Sequence, residues 1–415
     1  MRFENTQKAY HLKSDKELYK AYYLFRMISN QTLVSFGSRL TRMALKLKLP
    51  VAPLFKATVF SQFCAGLTKE DSLELVEKLE VSKIQSCLIF AAEESKSEQG
   101  MDTCLENTLE TLIFSKQKAS LPFTVIKLTA LGPISLFEKK GAKVSFTTKE
   151  AETWQRTLKR INTCCEKAAA LGAHLLIDAE ESWLQDAIDQ IAESLMEKYN
   201  KETTLIYTTL QMYRKDRLSY LKNLHKKATK KGFKIGVKLV RGAYIEKENI
   251  RALELEIPSP ICESKEQTDL NFNAGLDFIL DHLSHCSLFL GSHNEYSVSR
   301  VLEWMEKNKV AKDHPNIWFS QLLGMADHIS FNLASEGYRV VKYLPFGPVN
   351  EVIPYLIRRA EENTSVSGQT PRELSLIEKE LKRRKNYGFL KETNVIVFAQ
   401  FVTSKASNVL DSISM

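Results

Sequence analysis

The sequence predicts an α/β chain: a (β/α)8 barrel of the TIM type with an N-terminal helical arm and a C-terminal helical extension. Two observations carry this. Eight short apolar runs, at residues 84–90, 123–128, 173–179, 204–210, 234–240, 286–290, 316–322 and 339–346, alternate with longer amphipathic segments. Strands alternating with helices make βαβ units and a parallel sheet, and eight units in about 280 residues match the length of such a barrel. Polar side chains also recur at the C-terminal ends of the runs, where barrel enzymes carry their chemistry. These are Lys127, Asp178 with Glu180, Gln211, Arg241 to Tyr244, His293 with Asn294, Gln321 and Tyr343. A doubly wound sheet is the alternative arrangement of the same units.

In chain order, residues 1–75 form the arm, with helical patterns in Leu40-Thr-Arg-Met-Ala-Leu-Lys-Leu-Lys48 and, beyond Pro50 and Pro53, in Phe55-Lys-Ala-Thr-Val-Phe-Ser-Gln-Phe63. A face mixing apolar and basic residues suits packing on a core, and also a membrane surface. Residues 76–365 hold the barrel. Residues 364–370 read as a polar linker, and Pro371 suits the first turn of a helix running through Lys385. Residues 366–415 thus make a helix and a tail, whose apolar run Val395-Ile-Val-Phe398 is expected to dock on the barrel.

Composition narrows the partners. The 415 residues are 44% hydrophobic and 26% charged, ordinary for a globular protein. The net charge of +8 is spread over lysines that alternate with acidic helices, without the aromatic interleaving that stacks bases, so nucleic acid is not an expected partner. Seven cysteines show no CxxC spacing, and their odd number argues against a disulfide framework and for a reducing compartment. The first residues lack the apolar run of a secretory signal and soon turn acidic, and no stretch is long and apolar enough to span a bilayer. The expected location is cytoplasmic, or peripheral at the inner face of a membrane.

Function is read from the mouth. In a helix, Tyr355, Arg358, Arg359 and Glu362 fall on one stripe, just beyond the eighth strand and the Gly347-Pro348 break. Paired guanidiniums are planar forks suited to a carboxylate. Fingerprints for dinucleotides, nucleotide phosphates, metalloproteases and serine hydrolases are absent. His174, Asp178, Glu180 and His293 do not share one strand end, so no metal site is expected. Lys127, Lys238 and Lys342 near strand ends leave a Schiff-base aldolase-type barrel open. A non-catalytic module that senses an amino acid through its arginines is a further alternative.

Four ordered motifs together resemble the flavin-dependent proline dehydrogenases: Ile177-Asp-Ala-Glu-Glu181, Lys238-Leu-Val-Arg-Gly-Ala-Tyr244, Ser292-His-Asn294 and Tyr355-Leu-Ile-Arg-Arg-Ala-Glu-Glu-Asn363. The similarity runs from about Lys127 to Asn363, and residues 371–384 resemble the corresponding segment of longer single-function members. The resemblance implies a distorted barrel that holds FAD non-covalently and oxidises L-proline to Δ1-pyrroline-5-carboxylate, with hydride passing from C5 to flavin N5. A membrane quinone is the implied electron acceptor, and a separate pyrroline-5-carboxylate dehydrogenase takes the product. By that pattern Lys127, Arg358 and Arg359 hold the substrate carboxylate, Tyr343 packs beside the ring in the proline-selective manner, and Leu239, Tyr244 and Tyr355 complete the pocket. Gln211, Lys238, Arg241, Gly242, Ala243, Thr268, His293, Asn294 and Glu362 match FAD contacts, and Asp178 matches a carboxylate that interacts with Lys127. Two positions depart from the pattern: Phe272 stands where the family often has tyrosine, and Ala91-Ala92-Glu93-Glu94 matches loosely. A carboxylate there closes the site in the family, which implies a Glu93–Arg359 gate.

Overall fold

The computed structural model describes residues 3–47, 52–90, 97–365 and 369–384. Eight parallel strands close a barrel in sequence order: β1 (Ile84–Phe90), β2 (Phe123–Ile126), β3 (His174–Ile177), β4 (Ile206–Gln211), β5 (Ile235–Val240), β6 (Cys286–Gly291), β7 (Ile317–Leu322) and β8 (Val340–Phe346). The last strand returns to the first in register, with Cys87 opposite Tyr343. Each strand is followed by at least one helix, so the (β/α)8 reading holds and the doubly wound sheet does not.

Strand parity sorts the side chains into two cores. Outward residues such as Ile177, Leu210, Leu239 and Leu288 pack against the surrounding helices in one large apolar cluster. Inward residues form a smaller one. At its base the Phe123 ring stacks on His174 at 4.8 Å and meets Tyr207, Phe289 and Trp318 edge-on at 4.9–5.6 Å. Such edge-on aromatic pairs add about 0.5–1.5 kcal/mol each beyond their burial. His174 donates from Nδ1 to the Thr204 carbonyl at 2.9 Å, within this plug. The N-terminal end of the barrel is therefore sealed, and polar groups gather at the other.

The arm comprises helices Thr6–Ala9, Asp15–Ile28, Gln31–Lys46 and Ala52–Phe55, a π-helical stretch Lys56–Phe60, and Ser61–Phe63. Ser14 and Glu17 form a reciprocal capping box that starts the second of these. With the C-terminal helix Gln369–Arg383, the arm encloses the helix after β8, Val349–Ser365: Leu18, Phe25, Phe63, Val352, Leu356 and Leu376 share one buried cluster. Ion pairs fasten the ends together, Arg372 to Glu4 at 2.7 Å and Arg384 to Asp15 at 2.8 Å. The loop after β7 is locked to the arm as well. Gln62 Nε2 donates to the Gly324 carbonyl at 2.8 Å, and Gly324 sits at φ +74°, where a Cβ would lie 2.1 Å from the Gln62 carbonyl oxygen. Only glycine fits there.

Two expectations about the C-terminal part change. The helix after β8 continues through Ser365, into the expected linker, and the next helix begins at Gln369, two residues before Pro371. The run Val395-Ile-Val-Phe398 lies outside the described residues. Among the described residues, no helix is long and apolar enough to cross a membrane.

Candidate active site

Lys238 is the central group of the mouth. It points inward from β5, and its Nζ donates to Asp178 Oδ1 at 2.5 Å. Asp178 continues the inward parity of β3 one residue past its end. The other carboxylate oxygen accepts from the Tyr343 hydroxyl at 2.9 Å, and the Lys238 ammonium lies 4.6 Å from the centre of the Tyr343 ring. Burial, then the Asp178 charge, pushes the Tyr343 phenol well above its usual range, so it stays protonated and keeps donating. Beneath them the Cys87 thiol is raised by burial and is inert.

The turn after β5 makes one wall. Gln211 closes β4 and uses both ends of its amide: Nε2 donates to the Glu180 carbonyl at 2.8 Å, and Oε1 accepts from the Ala243 N–H at 3.1 Å. The turn itself needs Gly242 (φ +142°), since a Cβ there would strike the Tyr213 ring at 2.3 Å. Arg241 is held in a fixed pose, with Nε on Asp269 at 2.7 Å, Nη1 on Ser292 at 3.2 Å and Nη2 on Ser297 at 3.0 Å, over the Phe272 ring at 4.2 Å. Thr268 precedes Asp269 on the helix Lys265–Asp281, and Asn294 caps the helix Glu295–Lys307 by accepting from the Ser297 N–H at 3.0 Å.

The arginines approach from the helix after β8. The Arg359 guanidinium lies 5.1 Å from the Tyr355 ring centre. Arg358 is close enough to Tyr244 for its charge to oppose the effect of burial on that phenol, which remains well above its usual range. His293 faces Arg359. Burial, then the charges of Lys342 and Arg359, press its pKa down to about 3, so the ring is neutral. Its Nε2 accepts from the Leu322 N–H at 3.0 Å, which leaves the proton on Nδ1.

The structure thus brings Asp178, Gln211, Lys238, Arg241, Gly242, Ala243, Tyr244, His293, Tyr343, Tyr355, Arg358 and Arg359 to one end of the barrel. Lys127 follows β2 with inward parity, but Asp178 pairs with Lys238 and Tyr343 instead, and Lys127 makes no ion pair among the described residues. Leu239 does not belong here. It is fully buried in the outer cluster against the helix Lys265–Asp281, because it neighbours inward-facing Lys238 and strand parity turns it outward. The same parity removes Lys342 as a reactive amine, since it is buried between β8 and its helices and paired with Asp327 at 2.7 Å. The Glu362 side chain and Glu93, with its gate, lie outside the described residues. Sequence reasoning passed over Tyr213, Asp269 and Ser297; the glycine in the Arg-Gly-Ala-Tyr turn was the signal that some large group packs against it.

A family model described as proline dehydrogenase matches residues 72–372. The chain belongs to the proline dehydrogenase family. It is an oxidoreductase of proline catabolism, in a family that works with a flavin. The carbapenem antibiotics biosynthesis protein CarD of Pectobacterium carotovorum subsp. carotovorum is 34% identical over 348 residues, 83% of this chain and 90% of that protein. Mitochondrial proline dehydrogenase 1 of Dictyostelium discoideum is 32% identical, covering 92% of this chain and 74% of its own length. The mitochondrial proline dehydrogenase 1 of Homo sapiens reaches 40% identity over 59% of this chain and 41% of that protein. Among solved structures, proline utilization A (PutA) of Bdellovibrio bacteriovorus, inactivated by N-propargylglycine, superposes with a TM-score of 0.74 at 20% identity. That likeness is one of fold. It covers 89% of this proline dehydrogenase family chain, which spans 41% of the PutA chain.

Proposed function

We propose that this chain oxidises free L-proline to Δ1-pyrroline-5-carboxylate with FAD as its bound flavin, and passes the electrons to a membrane quinone. The observation that carries the reading is the division of the mouth into two chemistries. Arg358, Arg359 and Lys127 offer cations to a carboxylate, while His293 offers a neutral donor beside the fixed guanidinium of Arg241.

The residues fit a flavin. His293 presents Nδ1–H, which makes no hydrogen bond among the described residues, to an acceptor on the ring system, and the fixed Arg241 suits an anionic pyrophosphate. Gln211, Lys238, Gly242, Ala243, Thr268, Asn294 and Glu362 are the further residues assigned to hold it. The flavin, when bound, supplies the two-electron oxidation. The chain's own contribution is placement. Each charge-assisted bond to the carboxylate is worth about 1.5–3 kcal/mol, so two or three of them orient a small rigid ring. Tyr343, Tyr244 and Tyr355 give that ring its walls. Asp178 neutralises Lys238, so the cations left to attract the substrate are those assigned to its carboxylate. The product goes to a separate pyrroline-5-carboxylate dehydrogenase.

The test is an anaerobic titration of the FAD-loaded protein with L-proline, followed by visible absorption. Bleaching of the oxidised flavin band by proline, more readily than by hydroxyproline, is the expected result. A flavin band that stays oxidised, or no bound flavin after loading, overturns the proposal.

A further inference from the structure

The helix Gln31–Lys46 wears its large apolar side chains on the outside. Leu33, Phe36, Leu40, Met43 and Leu47 are 49%, 66%, 50%, 54% and 64% exposed. At about 100° per residue they occupy one arc of roughly 80°. Val34, Ser38 and Thr41 lie on the roughly opposite arc; Val34 packs on the cluster that surrounds the helix Val349–Ser365, and Ser38 is buried. Among the described residues the docked arc thus carries small side chains and the large apolar ones face away from the cluster, the reverse of an ordinary surface helix. Met27, 42% exposed at the end of the preceding helix, adds to this apolar surface.

Charge identifies the occupant. From Leu18 to Lys69 the sequence has no Asp or Glu and eight Lys or Arg. Exposed Arg39 lies beside the apolar arc, and Arg42, Lys46 and Lys48 follow it in the sequence. A second set of exposed apolar residues, Ile250, Leu253, Leu255 and Ile257, is interrupted by Glu254 and Glu256 and lacks that character. We propose that the helix Gln31–Lys46 lies in the plane of an anionic lipid surface, with Phe36, Leu40 and Met43 among the acyl chains and the neighbouring basic residues at the headgroups. The helix is about 24 Å long. It packs on the helix that carries Arg358 and Arg359, which sets the mouth one helix away from the lipid. This deepens the acceptor assignment made above, although the docking surface itself does not depend on which acceptor is used.

The experiment is co-sedimentation of the full chain with quinone-free vesicles, one set rich in phosphatidylglycerol and one of phosphatidylcholine alone. Binding at least tenfold stronger to the anionic set, weakened by salt, is expected. The double variant Phe36→Glu/Met43→Glu should lose at least tenfold of that binding, while Leu253→Glu keeps it and both retain parental proline oxidation with a soluble dye. Equal binding to both vesicle types, no binding to either, or full binding by the double variant overturns the proposal. A parent that is dimeric by light scattering, with the double variant monomeric, assigns the face to a second copy and overturns it too. Failure of vesicle binding leaves dye-linked proline oxidation intact, whereas failure of the enzymatic reading abolishes the dye signal, so the two are told apart.

Discussion

Two lysine–aspartate pairs on this barrel look alike in sequence and stand on opposite sides of its wall. Lys238 and Asp178 meet at 2.5 Å inside the mouth, while Lys342 and Asp327 meet at 2.7 Å outside it, between β8 and the helix Asp327–Ser335. Lys342 also donates to the carbonyls of Met325 at 2.6 Å and Leu322 at 3.3 Å, so its three protons are spent on scaffold. Around it His328, Glu295, Arg372 and buried Glu373 form a polar seam to the C-terminal helix; the His328 and Arg372 hydrogen bonds overcome burial and hold Glu295 down to about 2. Strand parity alone decides which pair can meet a ligand. The inner pair is rimmed by arginines and tyrosines, and the outer one by backbone.

The comparison breaks most sharply under substitution of the outer pair. Removing one partner of a buried ion pair strands the other charge and costs about 3–5 kcal/mol, so Asp327→Asn or Lys342→Met should lower the denaturation midpoint far more than any change in the mouth. The double variant Lys342→Met/Asp327→Leu should recover most of that loss, and a double variant no better than the singles would show that the seam is not a closed pair. In the mouth, Arg358→Met and Arg359→Met should each raise the apparent KM for proline roughly 10- to 100-fold while flavin content stays near parental, from the loss of about 1.5–3 kcal/mol of charged hydrogen bonding. Parental kinetics in either variant would remove that arginine from the carboxylate site.

A pH series sharpens the same contrast. Unfolded, His293 takes up a proton near pH 6.5, but folded it does so only near 3. The unfolded state therefore binds more protons between those values, and stability falls as pH drops through the window, by up to about 1.4 kcal/mol per pH unit. Urea midpoints measured from pH 7 to 4 should be flatter for His293→Asn than for the parent; parallel curves would show that the ring is protonated in the native state. The smallest effect on stability belongs to Asp178→Asn, roughly 1 kcal/mol, because the inner pair is less completely buried than the outer one and the new side chain retains a hydrogen-bond acceptor. Its turnover should nevertheless fall at least about tenfold. An Asp178→Asn protein as unstable as Asp327→Asn, with parental turnover, would erase the distinction between the two pairs.

The barrel was legible because its signal is periodic. Each apolar run matches one strand to within two residues at either end, and β1 has the boundaries read from sequence, Ile84–Phe90. The mouth was legible as a set of strand ends, since polar residues interrupt apolar runs there. The family pattern groups Leu239 with its neighbour Lys238, whereas parity within the run puts the two on opposite faces of the sheet. Pairings across the barrel were also out of reach: Lys127 on β2 and Lys238 on β5 are both candidates for Asp178 on β3, and only the closed barrel shows the carboxylate turned to Lys238 and Tyr343. The polar seam was invisible for the same reason. Its members are scattered from Glu4 to Lys379 and become neighbours only when the two ends of the described chain meet.

That meeting has a consequence in time. Leu18 and Phe25 emerge from the ribosome about 350 residues before their partner Leu376 is made. At the usual 5–20 residues per second the arm waits roughly 20–70 s for the helix that covers it. During synthesis its apolar faces, the docked one and the free one alike, are open together, so the nascent chain is a client for whatever holds greasy helices apart.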